Sequence, residues 1–233
     1  MSLPLFYFET INESDSTFML NEDASKHIIQ VLRMKKGEQL QLTDGKGILL
    51  TAEIIDEHKK NCTVNKINLE KISSPENNIT IAISLIKNTS RFEWFLEKAT
   101  EIGITEIIPL KCNRTEKQHF RYDRMKGILI SAMLQSHQAW LPALHEPSSF
   151  DKVVSDNNNH SKFIAHCIDN GHKIELNSCK KSSSSIILIG PEGDFDATEI
   201  ELALKNNFIP VSLGDNRLRT ETAGIVAVTI LNN

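Results

Sequence analysis

The stretch Ser185-Ile-Ile-Leu-Ile-Gly-Pro-Glu-Gly-Asp-Phe-Asp196 decides the fold. Ile186 to Ile189 is an unbroken apolar run that reads as a strand buried on both faces, and it stops at a Gly-Pro-Glu-Gly turn. A helix follows at once. Asp196 is a good N-cap with Glu199 three residues on, and Ile200, Leu202, Ala203 and Leu204 offer a packing face. The unit then recurs: Phe208 to Leu213 is a short strand, Gly214 to Glu221 a polar loop, and Thr222 to Leu231 a small, apolar helix. Two polar loops leaving buried strands at their carboxyl ends form a crevice, the place where open α/β sheets bind ligands.

Working outward, Ile79 to Ile86 is another buried strand, followed by a Lys87-Asn88 turn. Ser90 with Glu93 predicts a capping box for a helix that turns Phe92, Phe95, Leu96, Ala99 and Ile102 inward and ends at Gly103. Ile104 to Leu110 is the next strand, and strand-helix-strand favours a parallel sheet with a right-handed crossover. A further helix from about Asp123 carries Met125, Ile128, Leu129, Ala132 and Met133 inward and ends before Pro142. Asp151 to His160 reads as a polar surface segment, Lys162 to Cys167 as a strand, and Asn170-Gly171 and Ser182 to Ser185 as loops. His137, a lone helical histidine, reads as a surface or packing residue rather than a catalytic base.

The first third has a different rhythm. Short strands at Leu5 to Phe8, Gln39 to Thr43, Leu49 to Ile55 and Asn61 to Leu69, with one helix-like insert around Ala24 to Leu32, predict a small β-barrel. The polar run Ser73-Ser-Pro-Glu-Asn-Asn78 marks the boundary, giving domains 1–72 and 76–233.

A hydrophobic content of 40% supports a real core, and the net charge of −4 supplies no global attraction for nucleic acid. Local patches must carry any such binding. Lys26, His27, Arg33, Lys35 and Lys36 gather with no acid among them, and Lys111 to Lys126, with Arg114, Arg121 and Arg124, is a second basic stretch. Each reads either as a phosphate-contacting patch or as a solvated face. Cys62, Cys112, Cys167 and Cys179 lack metal or disulfide spacing, so reduced thiols and no metal are expected. With no signal-peptide pattern and no long apolar run, a cytoplasmic protein without membrane contact is expected.

The familiar phosphate-loop, dinucleotide, nucleophile-elbow and zinc-protease motifs are absent from the sequence. The two C-terminal loops therefore hold the candidate chemistry. Gly190, Gly193 and Gly214 let backbone approach a flat heterocycle, and Leu188, Ile189, Leu213 and Leu218 can sandwich it. Glu192 and Glu221 supply carboxylates, Arg217 and Arg219 fixed cations. The same residues could also be mere turns of an α/β sheet.

Gly190-Pro-Glu-Gly-Asp-Phe-Asp-Ala-Thr-Glu199 together with Leu213-Gly-Asp-Asn-Arg-Leu-Arg-Thr-Glu-Thr-Ala223 closely resembles the RsmE family, the 16S ribosomal RNA (uracil-N3) methyltransferases of bacteria. Lys98-Ala-Thr-Glu-Ile-Gly-Ile104, Gln135-Ser136 with Pro142, and His27 through Val31-Leu-Arg33 with Asp44-Gly45 match its other motifs in order. The resemblance implies a SPOUT-type, trefoil-knotted parallel sheet flanked by helices after a PUA-like β-barrel, acting as a homodimer on 16S rRNA of the small ribosomal subunit. It also implies S-adenosyl-L-methionine as cofactor, held by Leu188, Ile189, Gly190, Glu192, Gly193, Leu213, Gly214, Leu218, Arg219, Thr220, Thr222 and Ala223. Arg219, Glu221 and Glu192 are the implied catalytic groups, and Lys26, His27, Arg33, Lys35, Lys36, Arg114, Arg121 and Arg124 the implied RNA contacts.

The chain departs from the family at three places. Gly193-Asp194 stands where Gly-Gly is common, Gln138 where an Arg is usual, and Ser2-Leu-Pro-Leu5 lacks an early Arg. Three other readings stay open: an RNA-binding or ribosome-assembly module with a degenerate crevice, a methyltransferase for another RNA, and a dinucleotide-dependent oxidoreductase. The last is disfavoured by the missing phosphate fingerprint.

Overall fold

The computed structural model describes residues 3–116, 119–156, 158–168, 173–180 and 182–232. Expectations that touch Ser2, Lys117 and the Asn170-Gly171 loop lie outside the described residues. The chain divides into two units, 1–74 with 133–141 and 75–132 with 142–233.

In the first unit β1 (Leu5–Tyr7), β2 (Thr17–Met19), β3 (Gln39–Thr43), β4 (Ile48–Asp56) and β5 (Thr63–Lys71) pair in the order β1-β3-β4-β5-β2. Pairing is antiparallel except between β1 and β3. Alternation sends Leu40, Leu42, Leu50, Ala52, Ile54 and Val64 into one core. Register shifts at Thr51/Ala52 and Ile54/Asp56 bend the long β4-β5 ribbon, as bulges do. Helix α1 (Glu22–Lys26), capped by the Asn21 side chain, runs into a π-helical turn over His27–Val31 that buries Ile28. The segment 133–141 joins this unit through Gly47 N–H to the Ala139 carbonyl (2.9 Å) and Trp140 Nε1–H to the Ile72 carbonyl (3.1 Å).

In the second unit β6 (Asn78–Ser84), β7 (Glu106–Lys111), β8 (Ala143–Leu144), β9 (Ser148–Ser149), β10 (Ser161–Ala165), β11 (Ile174–Glu175), β12 (Ser184–Ile189) and β13 (Ile209–Ser212) form a parallel sheet. Its order is β11-β13-β10-β12-β6-β7-β8, with β9 also on β7. The helices are α2 (Thr89–Ile102), α3 (Tyr122–Gln135), α4 (Phe150–Ser155), α5 (Ala197–Lys205) and α6 (Thr220–Asn232). The central strands β6 and β12 are buried along all but their first residue because helices cover both faces. On one face Phe150 and Val154 of α4, Phe195, and Ala203 of α5 pack with Ala82, Ile186 and Leu188. On the other, α6 lies against α2, β6 and β12. Gly224 permits that approach, since a Cβ there would stand 2.6 Å from the Phe95 ring and 3.0 Å from Ile83 Cδ1.

Because β13 lies beyond β10 while α6 packs on β12 and β6, the segment 213–219 crosses the carboxyl end of β10. This crossing closes the crevice described below.

Several local expectations are corrected. The cap of α2 is Asn88, whose Oδ1 accepts Ser90 N–H (3.0 Å); Glu93 instead pairs with Arg124. Residues 151–160 are not simply polar surface, because α4 buries Phe150, Val153 and Val154. Ser184 and Ser185 are strand rather than loop, paired with Asn78 and Ile79. Leu204 is 45% exposed, so the packing face of α5 is Ile200 and Ala203. Helix α6 begins at Thr220, not Thr222. No described helix is long and apolar enough to cross a membrane.

Candidate active site

The loop after β12 is held from several sides. Gly190 C=O accepts the Thr220 hydroxyl (3.0 Å), which ties the first loop to the start of α6. A Cβ at Gly190 would sit 3.2 Å from the Phe195 ring, so the close turn over that ring favours glycine. The loop after β7 clamps the same segment: Asn113 N–H donates to Glu199 (2.9 Å), Asn113 Nδ2 to Asp196 (2.7 Å), and Arg114 to the Gly193 carbonyl (2.7 Å). Asp196 and Glu199 form the capping box foreseen from their spacing. The amide of Glu199, the Thr198 hydroxyl and the Asn113 amide stabilise the Asp196 carboxylate and push its pKa down to about 2.

Where the loops after β12, β10 and β13 meet, a crevice opens with two adjoining lobes of about 290 and 440 Å³. Both are lined by Ala165, Cys167, Arg217, Leu218 and Ala223. The first adds Ile189, Gly190, Glu192, Asp194, Arg219, Thr220 and Glu221; the second adds His166, Leu213 and Gly214. A fused heterocycle with a polar tail fits a cleft of this size and mixed lining.

Charge in the crevice is unevenly compensated. Glu221, buried in the first turn of α6, faces Arg91 Nε at 3.6 Å. Glu192 Oε1 accepts the Lys87 amide (3.1 Å). Arg219 caps α6 with its carbonyl, which accepts Ala223 N–H (2.7 Å), and its exposed guanidinium has no carboxylate partner among the described residues. The site therefore presents Arg219, and with it Arg217, as cations without a carboxylate partner among the described residues, beside the Glu221 carboxylate.

The crevice brings together Ile189, Gly190, Glu192, Leu213, Gly214, Leu218, Arg219, Thr220, Glu221 and Ala223. Three expected positions lie outside the lining of the two lobes. The Leu188 side chain lies in the core with Phe150 and Phe195, so it cannot sandwich a ligand. Gly193 turns its carbonyl to Arg114 and lies off the crevice wall. Thr222 lines an adjoining hollow with Ser90 and Trp94, and that hollow shares Arg91, Arg219 and Glu221 with the first lobe.

Sequence reasoning missed Arg91, Asp194 and the Ala165 to Cys167 turn. The first two stand in stretches already singled out. The third depends on β10 lying between β12 and β13, an order that no local pattern carries.

The basic patches are also changed by folding. Lys26 pairs with Glu22 one helical turn away (2.8 Å) and Lys35 approaches the distant Glu57 (3.9 Å), so acids outside the run temper the first patch. His27 packs edge-on against Phe6, while Arg33 and Lys36 are exposed without an ion pair among the described residues. In the second stretch Arg114 holds Gly193, Arg124 grips Glu93 with two bonds (2.5 and 2.9 Å), and Arg121 Nε donates to His119 (3.5 Å).

His166 Nδ1 is buried without a hydrogen-bond partner among the described residues. Burial, helped by Lys173 and opposed by Asp194, lowers its pKa below the usual 6.5. The unfolded chain then binds a proton near pH 6.5 that the folded chain refuses, so stability falls as pH drops through and below that value. The urea midpoint should decrease from pH 7.5 to 5.5, and His166→Gln should flatten the slope; an unchanged slope contradicts this role.

Comparison with known proteins adds to the geometry. The family described as RNA methyltransferase domain matches residues 73–232, and the RNA methyltransferase PUA domain matches 20–67. Ribosomal RNA small subunit methyltransferase E of Rickettsia conorii is 31% identical over 95% of this chain and 92% of its own. Among solved structures, a probable rRNA-methyltransferase from Porphyromonas gingivalis superposes with a TM-score of 0.90 at 39% identity, covering 97% of this chain and 95% of that one. A ribosomal RNA small subunit methyltransferase E from Neisseria gonorrhoeae bound to S-adenosyl methionine superposes at 0.87 with 27% identity, covering 97% of this chain and 95% of that one.

Proposed function

We propose, for a chain that belongs to the ribosomal RNA small subunit methyltransferase E family, that it methylates N3 of a uridine in 16S rRNA of the small subunit, using S-adenosylmethionine. The observation that carries this reading is the crevice between the two C-terminal loops, with buried Glu221 and with Arg219, unpaired by any carboxylate among the described residues, on one wall. The residues suit the cofactor. The lobes admit an adenosine with its amino acid tail.

The bound cofactor supplies an electrophilic methyl group on a sulfonium. Everything else falls to the chain. Uracil N3 carries a proton and has no free lone pair until that proton is lost, so the site must favour the anion and aim it. In this reading Arg219 stabilises the charge growing on a uracil carbonyl oxygen. Glu221, held by Arg91, orients the base or takes the N3 proton. Glu192, committed to the Lys87 amide, fixes the loop rather than the proton.

An N3 edge is accessible only in an unstacked, unpaired nucleotide, so the RNA must present its target in a loop. We assign residues 1–72 to a PUA-like RNA-binding domain and 76–233 to the methyltransferase domain. Arg33 and Lys36, exposed and with side chains in no ion pair among the described residues, are assigned to phosphate in the first domain. A homodimer is part of the proposal, and Trp94, 44% exposed on α2 beside Thr222, gives it an apolar anchor.

The test is transfer of tritiated methyl from the cofactor to small subunits of a strain lacking this protein, with mass mapping of the product. One N3-methyluridine in 16S rRNA is expected. Label elsewhere, or RNA binding without label, contradicts the reading.

A further inference from the structure

Asp194 combines three features that a simple turn residue does not need. Its backbone is left-handed (φ 64°), a region in which glycine is at ease and most side chains are not. Both carboxylate oxygens accept backbone amides, Oδ1 from Phe195 (2.9 Å) and Oδ2 from Cys167 (2.8 Å). Those amides belong to different loops, the one after β12 and the one after β10, and the residue lines the first lobe of the crevice.

From this geometry we infer that Asp194 is a positioning residue that latches the His166-Cys167 turn to the Gly-Pro-Glu-Gly loop and so holds the cofactor crevice in its binding shape. This deepens the methyltransferase reading and rests on it. Without the carboxylate, the turn after β10 loses the hydrogen bond that ties Cys167 to the neighbouring loop, and binding must then pay for ordering it. Aspartate serves better than glycine because it accepts at two amides while tolerating the left-handed backbone.

The experiment compares Asp194→Gly, which relaxes the backbone and removes the latch, with Asp194→Asn, which keeps one acceptor oxygen. Calorimetric titration with S-adenosylmethionine should show Kd raised about tenfold in the glycine variant and within about threefold of the parent in the asparagine variant. In methyl transfer the KM for the cofactor should rise in Asp194→Gly with kcat held. Alkylation of exposed Cys167 by iodoacetamide, mapped by peptide mass, should accelerate about fivefold as its turn loosens. Equal Kd, equal KM and equal labelling in Asp194→Gly and the parent overturn the latch. If the parent itself binds no S-adenosylmethionine, the proposed function falls, and the alkylation rates alone decide the latch: equal rates overturn it, and acceleration reversed in Asp194→Asn upholds it.

Discussion

Arg219→Ala is expected to cut single-turnover methyl transfer several hundredfold while leaving cofactor affinity within about threefold, because a cation about 4 Å from a forming anion at an effective dielectric near 20 is worth about 4 kcal/mol. The guanidinium has no carboxylate partner among the described residues to offset it, unlike Arg91, which faces Glu221 at 3.6 Å. Arg219→Lys should recover part of the rate, since a point charge remains but the planar fork is lost. Calorimetry and rapid-quench kinetics separate the two effects. Lost cofactor binding with an intact single-turnover rate would assign Arg219 to the cofactor instead.

Phe195→Ala should be the most destabilising single truncation near the site, by about 3 to 5 kcal/mol, since removal of a fully buried aromatic ring leaves a cavity that helices and sheet refill poorly. Phe195 is 0% exposed, its ring lies 5.2 Å from that of Phe150, and the Gly190 turn rests on it. A loss of that size is a large part of the stability of an ordinary domain, about 5 to 15 kcal/mol. Cofactor affinity should fall with it, because the Gly190 carbonyl that receives Thr220 loses its support. Urea unfolding reads the change, and a loss below about 1 kcal/mol would mean that the ring is not the keystone of this loop.

What could be read from the sequence follows how local each signal is. The capping box at Asp196 and Glu199 was legible because its partners are three residues apart. So was the C-cap at Gly103, whose left-handed backbone (φ 100°) is a short-range requirement. The start of α6 was not legible, because Arg219 is no ordinary cap and Thr220 is fixed by the Gly190 carbonyl, thirty residues away. Ser184 and Ser185 look like loop and are drawn into β12 by pairing with β6.

The site shows the same division. Glu192, Arg219 and Glu221 could be picked out by residue type in two polar loops, and they line one crevice. The wall made by Ala165 to Cys167 could not, since it is contributed by a strand whose place in the sheet is set by long-range packing. The reach of side chains was also hidden. Arg114 and Arg124 look like surface cations and are engaged by Gly193 and Glu93, whereas Asp194, an apparent intruder in a glycine-rich turn, is bonded to two loops.

The most direct test of the account is a crystal structure of this protein with S-adenosylmethionine bound. The adenosine should lie between the loops 190–194 and 213–219, over the turn at Cys167, with its methyl group on the side of Arg219 and Glu221. A nucleoside seated elsewhere, or those loops closed upon each other with no room between them, would contradict it.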